Sequence, residues 1–436
     1  MEYIKKAAGG DDKTQDVSAL VRDIIAQVEA GGELAVLELA QKLDGWDKSI
    51  IVSPDHISAA VGRVSKSVKD DICFARDRVR HFAEAQKATL QDCEVTLAPG
   101  LIAGQKNIPV NAVGCYVPGG RYAHVASAVM STTTAKVAGV PHIIAASPPH
   151  EKHGGIHPAI LYALHECGAD VVLNLGGAHA IAALAFGLFS GQKADMLVGP
   201  GNQFVAEAKR QLYGRVGIDM FAGPTEILII ADETADAEIV AADLVGQAEH
   251  GHNSPAWLIT LNKKLGEQVA ALAPSFIGRL PEPNQTHAAS AWRDYGEIVF
   301  TENADEAALL GDKYAAEHVQ VHTADAQAWK ERLTNYGSLF IGEETTVAFG
   351  DKASGPNHIL PTLGAARYSG GLSVGKLMKT VTWQQCDRQA VRDLAPVVAR
   401  LSRLEGMEAH ARTADIRLQK WFGDENFCLN NEEKSP

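Results

Sequence analysis

No stretch of this 436-residue chain is long and apolar enough to span a bilayer: none approaches the ~20 residues that a membrane helix needs. Nor does Met1-Glu2-Tyr3-Ile4-Lys5-Lys6 lead into the apolar core of a signal peptide, so a soluble cytoplasmic protein without a membrane partner is expected. Cysteine is sparse and scattered. Cys73, Cys93, Cys115, Cys167, Cys386 and Cys428 form no C-x-x-C or C-x-x-H spacing, which argues against a disulfide scaffold and a structural zinc finger. Basic charge is short as well, with 40 Lys and Arg against 53 Asp and Glu, a formal charge of −13, and no dense basic tract with interleaved aromatics. Such a balance gives no general pull on phosphate backbones, so no nucleic-acid partner is expected. A small anion would need a local pocket of donors.

A hydrophobic content of 46% over this length fills at least two cores, because single cores rarely grow beyond ~250–300 residues. Between residues 14 and 87 apolar side chains such as Val17, Leu20, Val21, Ile24, Ile25 and Val28 recur at three and four, which predicts helices. Beyond Gly114 short apolar runs (Gly114-Cys115-Tyr116-Val117, Ile143-Ile144-Ala145-Ala146, Val171-Val172-Leu173, Met196-Leu197-Val198) alternate with Ala-rich helical stretches. Strand and helix alternating at this spacing predict a parallel sheet wrapped by helices. The texture resumes at Glu226-Ile227-Leu228-Ile229-Ile230 and runs through further strands at 256–260, 298–300, 318–321 and 338–341. Residues 374–382 and 388–412 read as helical again, and the charged end 430–436 as disordered. The expected fold class is α/β, with two Rossmann-like, incomplete parallel-sheet domains, a helical N-terminal segment and a helical C-terminal tail.

Polar residues cluster at three separate places. In Gln247-Ala248-Glu249-His250, if 235–250 is helical, Gln247 and His250 share one face, so that an amide oxygen and an imidazole nitrogen can meet one ion, for which zinc is suited. Taken alone, Q-x-x-H reads first as a solvated helix end whose His and Gln make ordinary hydrogen bonds. Glu317-His318 precedes an apolar strand, and Gly350-Asp351-Lys352-Ala353-Ser354-Gly355-Pro356-Asn357-His358 is the third cluster. Two glycine turns lie between strand and helix, Tyr116-Val117-Pro118-Gly119-Gly120 and Gly199-Pro200-Gly201-Asn202, where backbone N–H groups can reach a phosphate. Neither is G-x-G-x-x-G, and each alone is equally a tight turn. Two at one end of a parallel sheet favour a nucleotide.

With Ala222-Gly223-Pro224-Thr225-Glu226 and Ser354-Gly355-Pro356-Asn357-His358-Ile359-Leu360-Pro361 added in order, the chain resembles the histidinol dehydrogenase family over about residues 17–418. The resemblance implies a zinc- and NAD-dependent oxidoreductase that takes an alcohol through the aldehyde to the carboxylate in two hydride transfers. It implies Gln247, His250, Asp351 and His410 as zinc ligands, one zinc per subunit, with His410 supplied by the neighbouring subunit of a homodimer whose active sites are shared. Glu317 and His318 become the catalytic pair; Tyr116, Pro118, Gly119 and Asn202 contact NAD; Thr225, His358 and Glu405 line the substrate site. Residues 1–18 are then an N-terminal segment, 19–115 with 228–370 the metal and substrate domain, 116–227 the NAD domain, and 371–436 a tail that packs on the partner. On chemical grounds His318 suits the base, since imidazole with its unperturbed pKa of ~6.5 accepts the hydroxyl proton. Glu317 suits activation of the water that must add to the aldehyde.

Two features depart from the enzymes of histidine synthesis. Arg121-Tyr122-Ala123-His124 follows the Pro-Gly-Gly turn, and His179 stands where a glutamine typically touches NAD. With Met378-Lys379-Thr380-Val381-Thr382 and the segment from Glu408 to Asp415, they resemble the sulfopropanediol 3-dehydrogenase branch, which oxidises 2,3-dihydroxypropane-1-sulfonate to sulfolactate. A small anionic polar substrate of that kind needs fixed donors, and Arg121, His124 or His179 can supply them. Each has an ordinary alternative, a surface ion pair for Arg121 and backbone hydrogen bonds for the histidines. L-histidinol is the alternative substrate. A zinc hydrolase is more remote, because it has no use for the two glycine turns, and a non-catalytic metal protein leaves Glu317-His318 unexplained.

Overall fold

A computed structural model of the protein describes residues 1–9, 17–119, 123–221, 223–423 and 425–430. They form two compact units, residues 1–87 with 109–377 and residues 88–108 with 378–436. The first opens with strand β1 (Glu2–Lys5) and helices α1 (Ser18–Leu39), α2 (Pro54–Gly62) and α3 (Lys66–Ala88), as the helical periodicity predicts. Helix α1 kinks at Gly32, whose φ is 59°, and runs into a π turn over Ala40–Asp44. One extra residue per turn there changes where the Asp44 side chain points. A hairpin, β2 (Cys93–Ala98) and β3 (Leu101–Pro109), then leaves for the second unit.

The first sheet follows from alternating strands and helices: β4 (Ala112–Tyr116), α4 (Val125–Ala138), β5 (His142–Ser147), α5 (Pro158–Cys167), β6 (Val171–Asn174), α6 (Gly177–Phe186), β7 (Met196–Val198), α7 (Gln203–Leu212) and β8 (Gly217–Ile218). Its order is β6-β5-β4-β7-β8, parallel throughout. The second sheet is built by β9 (Ile227–Ala231), α8 (Ala237–Ala248), β10 (Ala256–Thr260), α9 (Lys263–Ile277), α10 (Asn284–Tyr295), β11 (Glu297–Phe300), α11 (Ala304–Tyr314), β12 (His318–His322), α12 (Trp329–Arg332), β13 (Ser338–Ile341) and α13 (Val347–Lys352). Its order, β1-β11-β10-β9-β12-β13, is parallel except for β1 at the edge. In each sheet three parallel strands are laid outward in one direction before the order reverses to the other side of the first of them, between β4 and β7 and between β9 and β12, which makes each an incomplete Rossmann sheet. Helices cover both faces, so Ile227-Leu228-Ile229-Ile230-Ala231 is fully buried and reads as an unbroken apolar run.

In the second unit β14 (Met378–Cys386) joins the hairpin in the order β14-β3-β2, and α14 (Arg388–Leu404) packs on α15 (Glu408–Phe422) through Ala395, Ala399, Ala414 and Leu418. Here the helical reading of 374–382 gives way to a 3₁₀ turn over Val374–Leu377 and then strand. Thr380, Val381, Thr382 and Trp383 are β-branched or aromatic, and the Trp383 ring lies against Gly104 of β3, where a Cβ would come within 2.4 Å of it. Gly406, with φ of 76°, ends α14 and separates it from α15.

The turn after β7 is pinned from beneath. Lys209, 4% exposed, donates to Gly199 O at 3.0 Å and pairs with Asp219, 3% exposed, whose Oδ2 accepts the Gly199 N–H at 2.8 Å. Lys209→Met would strand the buried Asp219 carboxylate, and removing one partner of such a pair costs about 3–5 kcal/mol. Chemical denaturation should show that loss as a lowered midpoint; a loss under ~1 kcal/mol would mean the pair does not hold the turn.

Candidate active site

One cavity of about 960 Å³ is lined from both halves of the first unit. From the first sheet come the loops after β4 and β7, the two strands flanking the reversal. Pro118, Gly119, Pro200, Gly201 and Asn202 lie on its wall. At Gly199 φ is 113° and a Cβ would sit 2.0 Å from Tyr116 O, so the turn requires glycine for close approach of two backbones. Asn202 caps α7, its Oδ1 accepting the N–H groups of Phe204 and Val205 at 3.0 and 3.2 Å. Tyr116 is buried, which pushes its phenol up to about 12, and its hydroxyl accepts the Gly177 N–H at 3.1 Å. His179, 1% exposed, places Nε2 3.0 Å from Asp44 Oδ2, and that oxygen also accepts the Gly176 N–H at 2.9 Å. His179 Nδ1 is buried with no hydrogen-bond partner. The residues expected to meet a cofactor thus share one wall.

The opposite wall comes from the N-terminal end of the second sheet and from α13. Because β12 pairs with β9 in parallel, His318 opposite Ile227, the Glu317-His318 step falls beside Thr225-Glu226. Glu317 Oε2 accepts the Thr225 hydroxyl at 2.5 Å and the Glu226 N–H at 3.0 Å, while Thr225 Oγ1 accepts from the Gln247 amide nitrogen. Burial pushes the Glu317 carboxyl up, although His318, Thr225 and the Glu226 amide act against the rise. His318 Nδ1 lies 3.0 Å from Glu226 O, an N–H donation that leaves Nε2 as the open nitrogen. Nε2 is buried without a hydrogen-bond partner, and Asp351 Oδ1, at 3.7 Å, is within ion-pair reach and too far for a hydrogen bond. Burial disfavours the charged ring more than any other single influence, yet the Glu317 and Asp351 carboxylates together outweigh it and raise His318 to about 9. For Asp351 burial likewise opposes charge, and His318, His358 and Lys352 overcome it, holding the carboxyl down to about 2. His358 donates from Nδ1 to Asp351 O at 2.9 Å and presents Nε2 to Ser127 Oγ at 3.1 Å; burial lowers its pKa. His124 opens onto the cavity, and burial, followed by the charges of Lys352, His358 and His250, pushes it down to about 4.

The residues expected as metal ligands divide between the units. Helix α8 ends at Ala248, so His250 stands in the turn beyond it and not on the helical face that the sequence reading assumed. Its Nδ1 is 3.2 Å from Gln247 O, which ties the ring to the same turn and leaves Nε2 outward. His250 and Asp351 line the cavity; Gln247 does not, but its amide bonds to Thr225, which does. With the amide nitrogen committed to Thr225, these residues offer an amide oxygen, an imidazole nitrogen and a carboxylate, a mixed set that fits zinc. Among the described residues no three His, Cys, Asp or Glu side chains gather to hold a metal, so the set within the first unit is short of four donors. His410, on α15, and Glu405, at the end of α14, belong to the second unit and are exposed. Arg121 lies outside the described residues.

Three residues on or beside the cavity were passed over in the sequence: Asp44, Lys352 and Glu226. The buried Glu226 carboxyl accepts the Glu317 N–H at 3.3 Å and the Leu363 N–H at 3.1 Å through Oε1. Burial, then the neighbouring Glu317 charge, pushes it up to about 8. An acid directly before five buried apolar residues was the available signal.

The histidinol dehydrogenase family model matches residues 8–418. The chain is 56% identical over 430 residues to the sulfopropanediol 3-dehydrogenase of Ruegeria pomeroyi, covering 98% of this chain and 99% of that protein. It is 58% identical over 418 residues to a histidinol dehydrogenase homolog of the same bacterium, with 96% of each covered. The crystal structure of histidinol dehydrogenase from Elizabethkingia anophelis superposes with a TM-score of 0.89 at 31% identity, covering 94% of each chain.

Glu226 makes a pH-dependent contribution whose sign follows from its raised pKa. Between about 4.5, the ordinary value, and about 8 the folded form keeps a proton that the unfolded form has lost, so stability falls as pH rises through that window. Glu226→Gln keeps an acceptor oxygen for both N–H groups and cannot ionise. Its denaturation midpoint relative to the unaltered protein should therefore improve steadily from pH 5 to pH 8; a difference that does not vary with pH would refute the assignment.

Proposed function

The chain belongs to the histidinol dehydrogenase family, and from that membership we propose that it oxidises 2,3-dihydroxypropane-1-sulfonate (sulfopropanediol) to sulfolactate with NAD and zinc. The observation that carries the reading is His318: a buried imidazole whose Nδ1–H is held by a carbonyl while Nε2 lies without a hydrogen-bond partner beside Glu317 and Asp351, at a cavity shared with two glycine turns. Identity of 56% over nearly the whole of a relative named for that substrate supports this branch.

When bound, zinc supplies a Lewis acid for the substrate oxygen and NAD supplies hydride acceptance. Gln247, His250 and Asp351 would hold the metal, with His410 of a second copy as the fourth donor. The exposed apolar stripe Leu394, Val397, Leu401 and Leu404 along α14 supports packing of this unit on a partner subunit. Tyr116, Pro118, Gly119, His179 and Asn202 would line the cofactor, and Thr225, His358 and Glu405 the substrate. His318 Nε2 takes the hydroxyl proton in the alcohol step. For that the ring must be neutral, and a cation engaging Asp351 withdraws the carboxylate that favours the imidazolium form. Glu317, oriented by Thr225 and the Glu226 amide, accepts a proton from the water that adds to the aldehyde. L-histidinol remains the second reading, favoured by the TM-score of 0.89 to a histidinol dehydrogenase.

NADH formation from sulfopropanediol, with none from L-histidinol, is the expected outcome for the zinc-loaded protein; the reverse preference would overturn the substrate. His318→Asn should lower turnover by about 10²–10⁴-fold with zinc content retained, and unchanged turnover would remove it as the base. His410→Ala and Gln247→Ala should each lose zinc and activity. Mixed under conditions that exchange subunits, the two should regain part of it, since one site of each hybrid is intact. Absence of any regain would argue against shared sites.

A further inference from the structure

We infer that Lys352 selects the acid group of the substrate, its ammonium receiving the terminal sulfonate of a short diol in the cavity beside Asp351. The inference rests on the proposed function for the identity of that diol. The cavity wall carries the acids Asp44, Glu249, Glu317 and Asp351, in a chain whose formal charge is −13. An anion that enters needs a compensating charge. Among the described residues on the wall, Lys352 is the only lysine or arginine. It is exposed, and among the described residues no carboxylate lies within ion-pair distance of its ammonium. It directly follows Asp351 at the end of α13, which places its backbone one residue from the carboxylate that faces His318. A substrate oxygen at His318 and an acid group at Lys352 are therefore compatible with one small molecule.

The neighbours favour the same place. His124 and His358 line the same cavity as Lys352, and neither brings a carboxylate to pair with its ammonium. His179, one of the donors expected from the sequence, is instead bonded to Asp44, and that carboxylate would repel a sulfonate. A sulfonate is weakly basic and anionic at every cellular pH, so it is recognised by charge and donors and not by proton transfer. A lysine, a point charge with three donors on a flexible stem, meets a tetrahedral acid group without demanding one geometry.

The test compares the zinc-loaded protein and its Lys352→Met and Lys352→Arg variants on sulfopropanediol and on uncharged 1,2-propanediol, with KM for NAD read in parallel. Loss of one charge-assisted contact should reduce the preference for the sulfonated diol by about 10–10²-fold in Lys352→Met, mainly through KM. Lys352→Arg should keep most of that preference. An unchanged preference, or a rise confined to KM for NAD, would overturn the inference, the latter because the ammonium would then serve a cofactor phosphate. Lys352→Gln repeats the readings should Lys352→Met melt early. If the unaltered protein oxidises neither diol, the proposed function falls and calorimetry with propane-1-sulfonate decides the inference alone. Binding at least tenfold weaker in the variant supports it, and equal binding sinks it.

Discussion

The site depends on one register, the parallel pairing of β12 with β9 that sets His318 opposite Ile227. That pairing brings the backbone of Glu226 to the Glu317-His318 step, so that its carbonyl accepts the His318 Nδ1–H and its own N–H donates to the Glu317 carboxylate. A slip of one residue would turn each side chain to the face opposite its present one. Orientation of the two side chains is therefore a property of the core. It persists so long as Ile227–Ala231 stays buried between its helices, whatever the loops around the cavity do.

Charge is arranged around that frame in a way that no single residue explains. Three carboxyl groups, Glu226, Glu317 and Asp351, stand close to one imidazole in a buried setting, and their surroundings push them in different directions. Burial pushes Glu226 and Glu317 up, while Asp351, at the cavity and under the influence of His318, His358 and Lys352, is held down. Like charges at short range oppose one another in a poorly solvated site, so Glu226, beside Glu317, is raised, whereas Asp351, surrounded by His318, His358 and Lys352, is lowered. The same separation divides the labour: Asp351 is fit to hold a cation, and Glu317 to exchange a proton.

The sheets were legible in the sequence because both are buried on two faces, so that their strands read as apolar runs separated by Ala-rich helices. The glycine turns were legible because Gly199 has no side chain that could fit against Tyr116 O. What escaped was set by long-range contact. Strand β14 was read as helix because its alternation is weak and most of it is exposed, and only the placement of Trp383 on Gly104 reveals its sheet. Glu226 was hidden as the last residue of a motif, although its carboxyl bonds to segments 91 and 137 positions away. Lys352 sits in a string of polar residues where nothing marks it as the charge on a cavity wall.

The two sheets repeat one topology, yet they contribute opposite ends to the cavity. In the first sheet the crevice at the C-terminal ends of β4 and β7 is open, and the turns there form a wall. The equivalent crevice of the second sheet is bridged: Asp232 accepts the N–H groups of Thr234 and Ala324 at 2.9 and 2.8 Å, and its own N–H donates to His322 O at 3.1 Å. Those bonds tie the loops after β9 and β12 to each other. The second sheet meets the cavity instead at the N-terminal end of β12, through Glu317 and His318. A loop can be rebuilt to suit a ligand, whereas residues at a strand end are positioned by the sheet. Under the proposed function, the division gives adaptable backbone to binding and fixed geometry to proton transfer.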